Sequence, residues 1–263
     1  MALPKPEPLT ADGKKIPSKL KLAFSKAADI NRISKFFAPE IKTRIDPKNF
    51  VVKREKPIFD ATVSNGRAAF LYDPATGEAY SLTMAYHVND NGRHKHTEIG
   101  TSITRLGGYK SAQLVVAAMA LKEWWTSAPS GLVVTEILPD NVPSLKVYRD
   151  HLGWAPVTNP DKVEELARLC NEHISEEDKG RPTIWFSCND SVLPKMAQIL
   201  LDYLDDPSLR NKHTGHSVGL DLGALQMIGL TRTRLEAIAK GITDRKQIQD
   251  METNSGPPPS PQP

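Results

Sequence analysis

The sequence predicts an α/β protein whose central sheet mixes strand directions, is flanked by helices, and carries an extra C-terminal helical extension. Three observations carry this. Short alternating or β-branched segments interleave with segments of helical period. Two early strands are separated only by the turn cluster Asp73-Pro74-Ala75-Thr76-Gly77, which makes them a hairpin. Leu132 to Leu138, in contrast, is an apolar, β-branched run, as expected of a strand covered on both faces.

Taken in order, Leu20 to Phe24 reads as a short strand. Ala27 to Phe37 places Ala27, Ile30, Ile33, Phe36 and Phe37 at helical spacing, and Pro39 ends it. Residues 40–66 read as irregular and basic. Ala68 to Tyr72 and Ala79 to Val88 form the hairpin, Asn89 to His96 is polar and turn-rich, and Glu98 to Thr104 is a further strand. Arg105 to Lys110 is a tight loop feeding a helix from Ser111 to Ser127, which Pro129-Ser130-Gly131 stops. Asn141 to Leu152 reads as a helix with Pro143 in its first turn and Gly153 closing it. A helix from Val163 to Ile174, a strand from Thr183 to Ser187 and a helix from Asp190 to Leu204 follow. Gly223 to Lys240 fits two short helices broken at Gly229. No internal repeat is visible.

Four prolines in the first 17 residues and five in the final GPPPSPQP mark extended, disordered tails. A polyproline end can also serve an SH3-like groove. The expected division is a tail over 1–18, an α/β domain over 19–189, a helical extension over 190–245 and a Pro-rich tail over 246–263.

Composition is that of a globular chain, with 39% hydrophobic and 25% charged residues. The longest apolar run, Leu114 to Leu121, is far too short to span a bilayer, and the first residues contain no secretory apolar stretch. Cys170 and Cys188 alone make neither a disulfide framework nor a cysteine zinc site. A cytoplasmic protein without a membrane partner is expected. Charge is uneven: residues 1–60 hold 14 Lys/Arg against 7 Asp/Glu, and the rest hold 20 against 24. That asymmetry favours an acidic partner, or is simply a solvated basic face.

The stretch from Glu98 to Trp125 carries the most chemistry. A strand ends, a loop bearing Gly107 and Gly108 turns, and a helix begins at once. Glycines let backbone approach a ligand closely. The helix N-terminus adds unpaired N–H groups and a positive dipole end, which together suit a pyrophosphate. Arg105 and Lys110 would add charge. The spacing is neither a Walker loop nor the dinucleotide GxGxxG.

Arg105-x-x-Gly108, followed by Ser111-Ala112-x-Leu114, resembles the acyl-CoA loop of the GNAT superfamily of N-acyltransferases, whose pattern reads [Gln/Arg]-x-x-Gly-x-[Gly/Ala]. Lys110 at the last position departs from that pattern. Asn141-x-x-Ser144-x-x-Val147-Tyr148, then Leu152-Gly153-Trp154, resembles the family's later signature. The resemblance spans about residues 20–190 and includes the order of elements. It implies a GNAT-like mixed central sheet flanked by helices, and direct acetyl transfer from acetyl-CoA, as co-substrate, to an unidentified amine. No metal is needed: His87, His94 and His96 cluster without a matching Cys or carboxylate spacing.

The resemblance places Tyr148 beside the CoA sulfur as proton donor; its other reading is a core tyrosine anchoring the helix. Cofactor contacts fall on Ile103, Thr104, Arg105, Leu106, Gly107, Gly108, Tyr109, Lys110 and Ser111. The backbone near Ile103 and Thr104 would face the carbonyl oxygen and pantetheine. Asn141 either touches CoA or caps its helix. Glu98, on the strand entering the loop, is the expected base, with His96 on the same strand face and Glu136 on the next strand as alternatives. The basic Ile41 to Phe59 segment and the helix inserted between Trp154 and Thr183 point to a large or acidic acceptor. A homodimer is compatible with this reading.

Residues 222–241 also follow helix-turn-helix spacing, with Gly229 in the turn, Thr231 capping, and Arg232 and Arg234 facing outward. A nucleic-acid-binding protein is therefore a competing function, as is a catalytically idle GNAT-like interaction module.

Overall fold

The computed structural model describes residues 10, 13, 17, 19–51, 54–106, 109–126, 131–171, 182–206, 217–219 and 222–254. Strand β1 (Lys19–Phe24) leads into a broken helical stretch: a 3-10 turn at Ala27–Asp29, α1 (Ile30–Ser34) and a second 3-10 turn at Lys35–Phe37. The next segment corrects the expectation of irregular chain. It holds α2 (Pro39–Ile45) and α3 (Lys56–Ser64). A proline stands in the first turn of each, where its missing N–H costs nothing, so Pro39 begins a helix rather than merely ending one. α3 buries Phe59, Thr62 and Val63, a helical triplet hidden in a basic stretch.

The hairpin forms as β2 (Ala68–Tyr72) and β3 (Ala79–Asp90). β3 then runs into β4 (Arg93–Thr104) through Asn91 and Gly92, with φ of 51° and 75°. The polar Asn89 to His96 stretch is thus strand rather than open loop: the Asn-Gly pair supplies the left-handed turn a tight hairpin needs. Helix α4 (Lys110–Thr126) follows, buried nearly all round. β5 (Val133–Ile137) leads to α5 (Val142–Leu145), which passes into a π-helical stretch at Lys146–Leu152 and stops at Gly153, φ 82°. β6 (Ala155–Pro156), α6 (Pro160–Asn171), β7 (Ile184–Cys188) and α7 (Leu193–Asp205) come next. The chain ends in β8 (Ser217–Gly219), α8 (Leu222–Met227), α9 (Arg232–Ala239) and α10 (Arg245–Asn254).

One eight-stranded sheet runs in the order β6-β7-β5-β4-β3-β2-β1-β8. β4 with β5 and β1 with β8 are parallel, and the other pairs are antiparallel, the mixed sheet expected. The order of elements is the one the GNAT resemblance implies. One face packs on α4 and the C-terminal helices through Leu114, Leu121, Met196, Leu200, Leu235 and Ile248. The other is covered by α1 and α3 around Phe36, Phe59 and Phe70, and by α6 around Leu166 and Trp185.

The helices after residue 190 share the core of α4. α10 occupies residues expected to begin a tail: Ile248 is fully buried, and Arg245 lies 4.8 Å from the Trp124 ring centroid.

Candidate active site

The site grows from one departure in the sheet. β4 and β5 pair at Thr97↔Val133 and Glu98↔Val134, and past Glu98 the register ends and the strands part. β4 is bulged just beyond. Leu82 of β3 faces Ile103 while Met84 faces Gly100, so two steps on β3 oppose three on β4. Thr101 there has φ 50°, a strained conformation for a β-branched residue. Such bulges re-aim side chains beside binding sites. The Thr101 hydroxyl lies 2.6 Å from that of Tyr86.

The parting strands leave a cavity of about 130 Å³, lined by Glu98, Ser102, Thr135 and Glu136 and bordered by Arg54 and Tyr148. Strand alternation sorts the lining. Glu136 shares a face with Val134, on the α6 side, and Glu98 pairs beside it. Thr135 lies with Val133 and Ile137 on the α4 face, where Tyr148 packs. The gap therefore joins two faces of different chemistry.

On the α4 side, the Tyr148 and Ser102 hydroxyls lie 2.7 Å apart, and Ser102 and Thr83 lie 2.6 Å apart. The Tyr148 ring stands edge-on to Trp154 at 5.1 Å. Burial pushes the phenol up to about 12, against hydrogen bonds with Ser102, Thr135 and Thr83, so it keeps its proton at neutral pH. The π-helical stretch carrying Tyr148 is a form frequent at functional sites.

On the other side, Arg54 Nη2 donates to both oxygens of Glu98, at 3.0 and 2.9 Å. The guanidinium also lies 5.1 Å from the Tyr86 ring centroid. Glu136 differs. Burial first, and then the Glu98 charge, raise its carboxyl to about 7, against a hydrogen bond with Thr183 and the charge of Arg54.

The structure brings Tyr148, Glu98 and Asn141 together at one cavity. Asn141 caps α5, its side chain accepting from the Ser144 N–H at 3.2 Å. Gly107 and Gly108 lie outside the described residues. Lys110 is exposed at the start of α4, Ser111 is buried behind it, and Tyr109 packs 5.3 Å from the His151 ring. Ile103 packs into the core under α1 and α3, Leu106 is buried against the α4 core, and the Thr104 hydroxyl accepts from the Leu106 N–H at 3.1 Å.

Arg105 is a correction. Expected to add charge for a pyrophosphate, it is 3% exposed, pairs with Glu78 at 2.7 Å and lies 5.0 Å from the Tyr80 ring centroid. Its guanidinium braces the hairpin. His96 is also tied elsewhere: Nδ1 accepts from the Leu132 N–H at 3.2 Å, and Nε2 lies 3.5 Å from Glu165. Among the described residues no group of His, Cys, Asp and Glu is placed to hold a metal, and no helix is long and apolar enough to cross a membrane. In α9 the Thr231 cap forms as expected, but Arg234 does not face outward. It donates to Glu252 and Gly229 and lies 4.2 Å from the Trp125 ring centroid, while Arg232 pairs with Asp205 at 2.8 Å.

Sequence reasoning missed Arg54, Ser102 and Thr135. Arg54 sits in the charged run Lys53-Arg54-Glu55-Lys56, and nothing in that pattern separates a buried arginine from solvated ones.

No protein-family model matches the chain, and no curated protein matches it in sequence. Solved structures do match in shape. A GNAT-family acetyltransferase from Bacillus cereus ATCC 10987 is 11% identical, covering 65% of this chain and 96% of its own, at TM-score 0.38. A mosquito arylalkylamine N-acetyltransferase like 5b is 10% identical over 64% of this chain and 99% of its own, at 0.43. Arabidopsis thaliana Naa50, in complex with the bisubstrate analogue CoA-Ac-MVNAL, is 12% identical over 65% and 98%, at 0.42. At such identities and scores, what the chain does rests on its own residues.

Proposed function

We propose that the chain is an acetyl-CoA-dependent N-acetyltransferase that passes the acetyl group to an amine by direct attack in a ternary complex. The observation that carries this is the parting of β4 and β5 at Glu98, with a buried, protonated Tyr148 on one side of the gap and carboxylates on the other. A thioester entering from the α4 side would bring its sulfur towards Tyr148. An amine entering from the carboxylate side would face the carbonyl carbon.

The parts match what the reaction asks. The gap leaves backbone of β4 beyond Glu98 without β5 as a partner in the register, so it is open to the carbonyl oxygen and the pantetheine amides. The start of α4, with Lys110 exposed, is suited to the pyrophosphate. Tyr148 protonates the departing sulfur. Glu98 or Glu136 takes the amine proton. Two carboxylates against Arg54 in the lining favour a neutral or basic group around the reacting amine, so any acidic part of the acceptor would lie outside this cavity.

Incubation of the full chain with acetyl-CoA and a panel of primary amines, with CoA followed by chromatography, tests the reading. Amine-dependent release of CoA together with an N-acetylated product supports it. Absence of product with every amine, including peptide α-amines, lysine-containing peptides and polyamines, contradicts it.

A further inference from the structure

The two carboxylates in the cavity are held differently, and the difference assigns their roles. Resting on the transferase reading above, we propose that Glu136 is the catalytic base, and that Arg54 is a positioning residue that clamps Glu98 as a fixed charge beside it.

Glu98 is poorly placed to collect a proton. Both of its oxygens accept from one Arg54 nitrogen, and the two side chains are 7% and 10% exposed. The pair is wedged further. A Cβ on Gly100 would come within 3.0 Å of Glu98 Oε1 and 3.3 Å of the Tyr86 ring, so a side chain there would press on this carboxylate. Taking a proton on either oxygen would weaken a charge-assisted hydrogen bond to Arg54.

Glu136 lines the same cavity two residues past the last pairing of β5 with β4, while still paired with Trp185 of β7. The groups facing it are Glu98 from β4, Arg54 from the segment before α3, the Cys170 thiol from α6, and Thr183 at the entry to β7. Its raised proton affinity follows from burial and the fixed Glu98 charge, and it falls where a general base works best near neutral pH. Removing the Glu98 charge would lower that affinity; removing the Arg54 charge would raise it.

In the step itself the amine nitrogen bonds to the acetyl carbonyl carbon, its proton passes to the Glu136 carboxylate, and the carbon–sulfur bond breaks. The Tyr148 hydroxyl gives its proton to the sulfur, leaving amide and CoA thiol. Exchange with solvent restores both side chains.

Carboxyl titration by NMR on the full chain, labelled at glutamate side chains, tests the assignment without any acceptor. One resonance should titrate near pH 7, vanish in Glu136→Gln, move to lower pH in Glu98→Gln and to higher pH in Arg54→Gln. If Arg54→Gln does not fold, Arg54→Lys keeps the charge and should leave the titration nearly in place. Loss of the resonance in Glu98→Gln with survival in Glu136→Gln would reverse the roles and overturn the proposal, as would the absence of any carboxyl titrating near neutrality. Rates with an amine found active then add a second arm. Glu136→Gln should lower kcat about 10²–10⁴-fold and flatten the acidic limb of the pH–rate profile. A full acidic limb in Glu136→Gln overturns the base assignment while leaving the transferase reading intact. Failure of all acetyl transfer with the titration as expected removes the transferase reading and leaves only the electrostatic coupling of Arg54, Glu98 and Glu136.

Discussion

At Tyr148 a single oxygen distinguishes a packing ring from a proton donor. Tyr148→Phe keeps the contact with Trp154 and removes the hydroxyl that meets Ser102. The expected result is a kcat lower by about 10²–10⁴ with CoA affinity nearly unchanged, the mark of an interaction made in the transition state. Turnover within about twofold of wild type would leave only the structural role. Glu136 gives a test in stability. Its ordinary value is 4.5 and its folded value about 7, so burial disfavours the ionised form. The folded state is therefore unburdened below the unfolded value and loses stability as pH rises through the folded one. Glu136→Gln should raise Tm at pH 8 and change it little at pH 4.5, and an equal effect at both would contradict the buried-carboxylate picture. Gly100→Ala should lower Tm only slightly, because the clamped Glu98 carboxylate and the buried Tyr86 ring need give by a few tenths of an ångström. It should nonetheless lower turnover by displacing that carboxylate.

Among the elements, those written in periodicity and punctuation were legible in the sequence: the first strand, the hairpin around Asp73 to Gly77, α4, and the Gly229 break with its Thr231 cap. α2 and α3 were hidden because basic composition and Pro39 read as loop, although Phe59, Thr62 and Val63 carry helical spacing. α10 was hidden because its ten residues are mostly polar; tertiary contacts hold it, with Ile248 buried and Glu252 paired with Arg234 at 2.7 Å. Replacing Ile248 with Ala should cost about 2–5 kcal/mol in chemical denaturation, as for other buried isoleucines. A loss below about 0.5 kcal/mol, the range of surface changes, would mean that α10 is not anchored there. Truncation after residue 189 should expose the faces of Leu200 and Leu201 and yield insoluble protein; a soluble, monomeric 1–189 chain would contradict the shared core.

For the molecule as a whole, the motif residues Glu98, Asn141 and Tyr148 line one cavity, and the sheet determines what else lines it. Glu98 comes from β4, whereas Asn141 and Tyr148 belong to one continuous helical stretch. The role of Arg105 was not legible, because the motif names a residue type and the hairpin carboxylate Glu78 redirects it. The Arg54 to Glu98 pair was invisible for the same reason: its partners lie 44 residues apart and meet only through tertiary packing. The central claim is that acetyl-CoA enters the gap between β4 and β5 and lays its pyrophosphate at the start of α4. Calorimetric titration of acetyl-CoA into the full chain and its Gly108→Glu variant tests this most directly, since the variant puts a side chain and a negative charge into the loop preceding α4. The account predicts saturable one-to-one binding to the wild type and its loss in Gly108→Glu with the fold intact. No binding to the wild type, or equal affinity in both, would contradict it.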